Sequence, residues 1–140
     1  GSRNVIPGQV KMTLDMRHWE PEALITMGQA VAEAVEEICQ RHGLEYELTP
    51  TADFAPEYFN KECVNAVRQG AEKLGLSHMD IISGAGHDAM FVGRVAPAAM
   101  IFIPCKDGIS HNEIESATPE HVHAGCNVLL HAMLDAAGLD

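Results

Sequence analysis

A glycine-rich stretch before a predicted helix is the first part of this sequence that could do chemistry. Residues 83–88 read Ser-Gly-Ala-Gly-His-Asp and follow a short apolar run. Backbone N–H groups and the helix dipole converge at such a point and favour an anion. A tight turn whose glycines need positive φ is an alternative interpretation. A dinucleotide site is disfavoured because Ala89 stands where that fingerprint has its third glycine.

His111 is the second candidate, and it follows another apolar run, at the edge where α/β sheets place their sites. Its neighbours carry oxygens of the type that orient a metal-bound imidazole, namely Ser110, Asn112, Glu113 and Glu115. One histidine cannot close a metal site, so a solvated loop side chain is the alternative. Three further histidines are expected to be solvated on the last helix, namely His121, His123 and His131.

Arg17 ends the polar face of the first predicted strand. The planar fork of an arginine can bind a carboxylate at two points. The residues alone favour a simpler interpretation, in which Arg17 is a surface side chain paired with Asp15 or another acid.

The elements that must position these residues change in character along the chain. Strict alternation over 9–17 and again over 44–49 predicts two strands with one wet face. Between them, apolar residues at helical spacing start after Pro21 and stop at Gly43. The first fifty residues therefore predict a β-α-β unit whose sheet is covered on one side.

A link bounded by prolines, 50–56, precedes a region in which the apolar runs no longer alternate with polar residues. A helix is predicted over 57–74, and unalternated apolar runs at 79–82 and 98–103 fit strands buried on both faces of a sheet. A short helix should pass through the residues Met90, Phe91 and Val95. The last helix should have Thr118 as its N-cap and Pro119 at its first position. The fold class expected is α/β, or mixed α+β, with parts of two domains.

Composition excludes several classes of function. The 140 residues hold 9 Lys plus Arg against 20 Asp plus Glu, a formal charge of −11, which argues against nucleic acid and anionic membranes as partners. No apolar run reaches the length of about 20 residues that a membrane helix needs. Four cysteines, each far from the next, fit free thiols in a reducing cytoplasm. Gly1 and Ser2 are interpreted as a tag remnant, and the abrupt start after them as a sign of a piece cut from a longer protein.

Three ordered motifs, NVIPGQVKMTLDMR, SGAGHDA and MIFIPCKDGISHNEIE, together resemble the C-terminal part of the metal-dependent amidases of the hydantoinase/carbamoylase family. That family includes N-carbamoyl-L-amino acid hydrolases, β-ureidopropionases and allantoate amidohydrolases. The resemblance implies a catalytic α/β domain interrupted by a smaller lid domain that mediates dimerisation. Residues 3–53 would be the second half of the lid, and 54–140 the C-terminal part of the catalytic domain.

The resemblance also implies roles for single residues. His111 aligns with the last ligand of a two-metal centre, which holds Zn or Mn. Asn4 and Arg17 align with lid residues that bind the substrate carboxylate across a homodimer, and Gly86 with a backbone donor to the same carboxylate. His87 lies beside that site as a candidate catalytic residue. The remaining metal ligands and the catalytic glutamate belong to motifs that are missing from this sequence.

The function expected is therefore that of a fragment of a metal-dependent amidohydrolase. The parent would cleave linear C–N amide or carbamoyl bonds of N-carbamoyl amino acids or related ureido acids, and the fragment itself would be inactive. A non-catalytic dimerisation or association module is the main alternative, because half-domains expose apolar faces. A histidine-based metal carrier is a third hypothesis.

Overall fold

The computed structural model describes residues 3–139; Gly1, Ser2 and Asp140 lie outside the described residues, and so does the predicted tag remnant. The chain divides between Pro56 and Glu57 into two compact units. Within the described range, the first unit holds one α-helix, and the second holds three α-helices and a 3₁₀ turn. The assignment of these units to a lid and a catalytic domain stays a prediction.

Helix α1 spans Pro21–His42, which confirms the helix predicted there. Pro21 occupies the first turn, where its missing N–H costs no hydrogen bond. The helix ends at Gly43, whose φ of 64° lies in the left-handed region that glycine adopts without strain. Leu24 and Val31, on the apolar face, are only half-buried, and no described residue of α1 is buried. The first unit therefore leaves the apolar face of α1 largely accessible.

Helix α2 spans Lys61–Lys73 and begins four residues later than predicted. Asn60 sets the start, because its Oδ1 accepts hydrogen bonds from the backbone N–H groups of Glu62 at 2.9 Å and Cys63 at 3.0 Å. These are two of the amides that the first turn of a helix leaves without an internal partner. The spacing of apolar residues does not reveal such a cap, and for that reason the sequence prediction placed the start of α2 too early.

The remaining helices lie close to where the sequence predicts them. Helix α3 is short and spans Asp88–Gly93, so it includes Met90 and Phe91 but ends before Val95, which the prediction placed inside it. A 3₁₀ turn at Lys106–Gly108 opens the loop that leads to α4. Helix α4 spans Pro119–Ala136. The Oγ1 of Thr118 accepts a hydrogen bond from the N–H of His121 at 3.3 Å, so the predicted N-cap is confirmed.

Helices α2 and α4 pack against each other and form the core of the second unit. The buried apolar side chains there are small: Ala66 and Ala71 on α2, Val128 and Ala132 on α4. Gly70 marks a close approach, because a Cβ at this position would lie 3.1 Å from the carbonyl oxygen of Val128. Small residues on both helices let the backbones come close, since the side chains at a contact set the distance between helices.

The segment 98–103 joins this helix pair. A Cβ on Gly125 of α4 would lie 2.6 Å from Cγ2 of Ile103, and the backbone N–H of Asn60 donates to the carbonyl of Ala98 at 3.0 Å. An apolar groove of about 370 Å³ remains beside these contacts, lined by Val67, Ala99, Ile101, Ile103, Val122, Gly125, Cys126 and Leu129.

No strand occurs in the part of the chain that the structure describes, so the predicted α/β sheet is not observed. The four segments expected to form it are 9–17, 44–49, 79–82 and 98–103. A strand exists only through hydrogen bonds to a neighbouring strand, and within residues 3–139 these segments find no such ladder. The described chain is helical, with long irregular segments where strands were predicted.

The chain exposes more surface than two compact domains would. Its accessible area is 11700 Å², whereas monomeric domains of these two sizes would together expose about 8500 Å². Large apolar side chains contribute to the excess, among them Ile6 at 91 %, Val95 at 85 % and Met79 at 78 % exposure. None of the helices in residues 3–139 is long and apolar enough to span a membrane.

Candidate functional site

The glycine corner, residues 83–88, is held by a hydrogen bond between two side chains. The Oγ of Ser83 lies 2.7 Å from Nε2 of His87, and the backbone N–H of Ala85 donates to the same Oγ at 3.2 Å. The imidazole of His87 also meets the ring of Phe102 edge to face, with centroids 5.5 Å apart and planes at 67°. The half-buried His87 ring is therefore fixed on two sides, by a hydroxyl and by an aromatic ring.

The helix that follows this corner is shorter than an anion site at a helix start would require. His87 is the N-cap of α3, which has six residues, and the His87 side chain makes no capping hydrogen bond. The helix dipole is a cooperative sum over aligned peptides, so six residues supply little of it. The predicted anion preference at this corner therefore has weak support from the helix itself.

The glycines of the corner do not have the positive φ that the tight-turn interpretation predicts. Neither Gly84 nor Gly86 has a positive φ, and a Cβ added to either would meet no atom within 4 Å among the described residues. The interpretation that these glycines serve a turn with positive φ is wrong. Gly86 is exposed, and its backbone N–H remains the candidate donor that the family resemblance implies.

His111 lies on an exposed loop with an unusual backbone. Its φ is 57°, in the left-handed region, and its N–H donates to Oε2 of Glu115 at 3.0 Å. Glu115 thus binds the backbone of His111 and not its ring, contrary to the orienting role expected for it. The amide oxygen of Asn112 is likewise taken by a backbone N–H, that of Ile114 at 3.1 Å.

The described residues do not assemble a metal site. Among residues 3–139, no three His, Cys, Asp or Glu side chains are grouped so that they could hold a metal ion. The hydrogen bonds of His111 and His87 do not join the two residues. The described side chains alone therefore do not make up a two-metal centre.

Arg17 lies in the first unit and is engaged by a neighbouring acid. Its Nε lies 3.0 and 3.1 Å from the two carboxylate oxygens of Asp15, and one terminal nitrogen lies 2.5 Å from Oδ2. Both side chains are exposed. The hydrogen bonds from Arg17 hold the pKa of the Asp15 carboxyl below its usual range. This is the pairing that the residues alone favoured. Asn4, the other candidate of this unit, lies on an exposed turn.

The sequence predicts that the three histidines of α4 are solvated, but only one of them is exposed. His123 is exposed, and its Nε2 lies 2.8 Å from the amide nitrogen of Asn127. His121 is half-buried, and His131 is half-buried with an Nδ1 that is fully enclosed and has no hydrogen-bond partner in the described chain. The prediction of solvated side chains is wrong for His121 and His131, because helical spacing does not show how deeply α4 packs.

Sequence analysis does not identify the two residues that contact the His87 ring. It assigns Ser83 to a turn and Phe102 to a buried strand. A serine four residues before a histidine, with an aromatic residue on the next apolar run, is the signal that could have found them.

Comparison with known proteins places nearly all of the chain in one protein family. The model of peptidase family M20/M25/M40 matches residues 1–135. An N-carbamoyl-L-amino-acid amidohydrolase of Rhizobium meliloti is 43% identical over 136 residues, which is 97% of this chain and 33% of that protein. An allantoate amidohydrolase of Bacillus subtilis is 31% identical over 126 residues, covering 90% of this chain and 31% of that protein.

Solved structures give the same grouping. An amidase of the hydantoinase/carbamoylase family from Burkholderia multivorans superposes with a TM-score of 0.83 at 49% identity, covering 88% of this chain and 30% of that one. A second such amidase, from Burkholderia vietnamiensis, gives a TM-score of 0.75 at 50% identity, covering 84% of this chain and 29% of that one. The chain thus spans about a third of the length of the relatives it matches.

Proposed function

The chain belongs to peptidase family M20/M25/M40 and is related to amidases of the hydantoinase/carbamoylase group, and from this we propose that it is the C-terminal part of a metal-dependent amidohydrolase. The whole protein cleaves linear C–N amide or carbamoyl bonds of N-carbamoyl amino acids or related ureido acids. The observation that carries the proposal is 43% identity, over nearly the whole chain, to a protein named for that reaction.

The excess of exposed surface supports the fragment interpretation. An accessible area of 11700 Å² exceeds the value of about 8500 Å² for compact domains. The apolar segments without ladder partners account for part of this excess, because strands of a sheet covered on both faces would bury them. In the whole protein, these segments join an α/β catalytic domain and a β-α-β lid whose other parts come from chain that is absent here.

Four of the predicted site residues lie around the carboxylate of the substrate in this proposal. Arg17 and Asn4 bind the substrate carboxylate from the lid, Gly86 donates its backbone N–H to the same group, and His87 lies beside it. The guanidinium fork of Arg17 suits a carboxylate, as its present pairing with Asp15 illustrates. Because Asp15 occupies that fork here, substrate must displace it or share it.

Metal chemistry belongs to the whole protein. His111 would give one imidazole to a centre of two divalent ions, Zn or Mn, which supply a nucleophilic hydroxide when bound. The other ligands must come from outside residues 3–139, since the described chain groups no metal-ligand set. We expect the 140-residue chain alone to be inactive. The proposal includes a homodimer and a cytoplasmic location, and four free cysteines support a reducing compartment.

A chimera gives the direct test. This chain replaces the matching segment of the 43% identical amidohydrolase, and hydrolysis of an N-carbamoyl-L-amino acid is measured with Mn²⁺ or Zn²⁺. The chimera should be active, and the 140-residue chain alone should release no product. Metal-dependent turnover by the chain alone, or an inactive but folded and dimeric chimera, would contradict the proposal.

Paired variants of the chimera test the residue roles. Arg17→Gln should lower kcat/KM about 10- to 100-fold, because it removes a charge-assisted hydrogen-bonded contact. Arg41→Gln is the matched control, since Arg41 makes an equally exposed ion pair, with Glu37, on α1. His111→Ala should abolish activity, and His123→Ala, on exposed α4 surface, should not. If Arg41→Gln lowers kcat/KM as much as Arg17→Gln does, the role of Arg17 is refuted. If His123→Ala abolishes activity as His111→Ala does, the role of His111 is refuted.

A further inference from the structure

The hydrogen bond between Ser83 and His87 has a length that bears on its direction. The Oγ of Ser83 already accepts the backbone N–H of Ala85 at 3.2 Å. A hydroxyl has one proton to donate and two lone pairs that accept, so the proton of Ser83 is available to Nε2 of His87, which lies 2.7 Å away. That separation is typical of an O–H donor and shorter than the usual N–H to oxygen distance. This length favours the hydroxyl of Ser83 as the donor and Nε2 of His87 as the acceptor.

With the Ser83 hydroxyl as the donor, the two hydrogen bonds of this corner run in one direction. The N–H of Ala85 polarises the hydroxyl of Ser83, which in turn donates to His87. Hydrogen bonds arranged head to tail strengthen one another. A neutral imidazole that accepts at Nε2 must carry its proton at Nδ1, because only one of its two ring nitrogens is protonated.

Nδ1 of His87 is not used to cap the helix that follows. The side chain makes no capping hydrogen bond to α3, so Nδ1 is not consumed by the backbone of that helix. The edge-to-face contact with Phe102 holds the ring plane, and Ser83 holds its far nitrogen. Two contacts therefore already order the imidazole, which lowers the entropy cost of presenting a donor to a ligand.

We propose that Ser83 is a positioning residue for His87: its hydroxyl fixes the neutral Nδ1–H tautomer and aims that N–H at one oxygen of the substrate carboxylate. The inference rests on the proposed function for the identity of the ligand. The choice of tautomer rests only on contacts within the second unit. An N–H donor facing an anionic oxygen forms one of the stronger classes of hydrogen bond.

Nitrogen NMR of the 140-residue chain tests the tautomer. Long-range ¹H–¹⁵N spectra at pH 8, above the ordinary histidine pKa of about 6.5, report which nitrogen of His87 carries the proton. The wild-type chain should show Nδ1–H. Ser83→Ala should lose this preference, and Ser83→Thr, which keeps the hydroxyl, should restore it. Ser77→Ala is the control, an exposed serine outside the corner. A wild-type Nε2–H tautomer, or one unchanged in Ser83→Ala, would overturn the proposal.

The ligand is tested in the chimera, with a non-hydrolysed N-acyl amino acid as the carboxylate probe. Binding should perturb the Nδ1–H signal of His87, and Ser83→Ala should weaken binding about tenfold, with Ser83→Thr restoring it. An unperturbed Nδ1–H signal at saturation would overturn the carboxylate assignment. Hydrolysis by the same chimera is scored separately, so a failed tautomer with intact turnover refutes this inference and leaves the proposed function standing.

Discussion

The Arg17 and Asp15 pair shows how one contact bears on both titration and binding. Arg17→Gln removes the hydrogen bonds that lower the pKa of the Asp15 carboxyl, so this pKa should rise toward the ordinary aspartate value of about 3.9. Carboxyl chemical shifts followed against pH by NMR measure it. Arg41→Gln should leave Asp15 unchanged. A pKa that stays low in Arg17→Gln would show that another group sets it.

The sign of the stability effect follows from the same shift. Because the folded pKa of Asp15 lies below its unfolded value, the pair stabilises the chain above the ordinary aspartate range, and the stabilisation is lost as pH falls through the lower folded pKa. Both side chains are exposed, so salt should weaken the effect.

Sequence reasoning at the residue scale found candidates but not their partners. It proposed Arg17 with Asp15 as the residue-based interpretation, and the structure shows that pair. It did not find the hydroxyl that holds His87, because a hydrogen bond between side chains four residues apart outside a helix depends on the path of the loop. The roles of Asn4, Arg17, Gly86, His87 and His111 stay predictions.

At the scale of elements, α4 can pack on the segment 98–103 because Gly125 has no side chain. Gly125→Ala puts a Cβ within 2.6 Å of Ile103, so we expect a loss of about 1 to 3 kcal/mol in the free energy of unfolding. Urea unfolding followed by circular dichroism measures it. Ile103→Ala combined with Gly125→Ala should recover stability relative to the sum of the single changes.

Gly28→Ala is the matched control for this substitution. Gly28 lies within α1, and no atom lies within 4 Å of a Cβ placed there. Alanine should therefore stabilise α1 by about 0.5 to 1 kcal/mol, through its better helix propensity alone. If both alanines stabilise, the close approach at Gly125 is not a packing constraint.

Helices were predictable here and strands were not, for a physical reason. The signals for α1 and α4 are local: a proline in the first turn, a threonine cap, a glycine past the end. The alternation over 9–17 and the apolar run at 79–82 are signals of equal quality, but a strand needs a second strand to exist. With no ladder partner among residues 3–139, those segments stay irregular.

At the scale of the whole molecule, the exposed apolar segments predict how the chain behaves alone. The purified chain should bind an apolar fluorescent dye strongly, because side chains such as Met79 and Val95 are largely exposed. Co-expression with the part of the 43% identical relative that this chain does not match should give a one-to-one complex and suppress dye binding. Sedimentation velocity and fluorescence measure both. Strong dye binding that persists in a stable complex would show that the missing part covers other surfaces.

The loop that carries His111 shows what its backbone permits at two positions. Asp107 and His111 both have φ near +55°, with a left-handed Gly108 between them. Asparagine, aspartate and glycine adopt this region readily, whereas branched side chains do so at a cost. In a saturation library scored only for folding, survivors at 107 and 111 would therefore be short polar residues and glycine. A library scored for turnover would narrow position 111 further, and the gap between the two profiles would separate the demands of shape from those of chemistry.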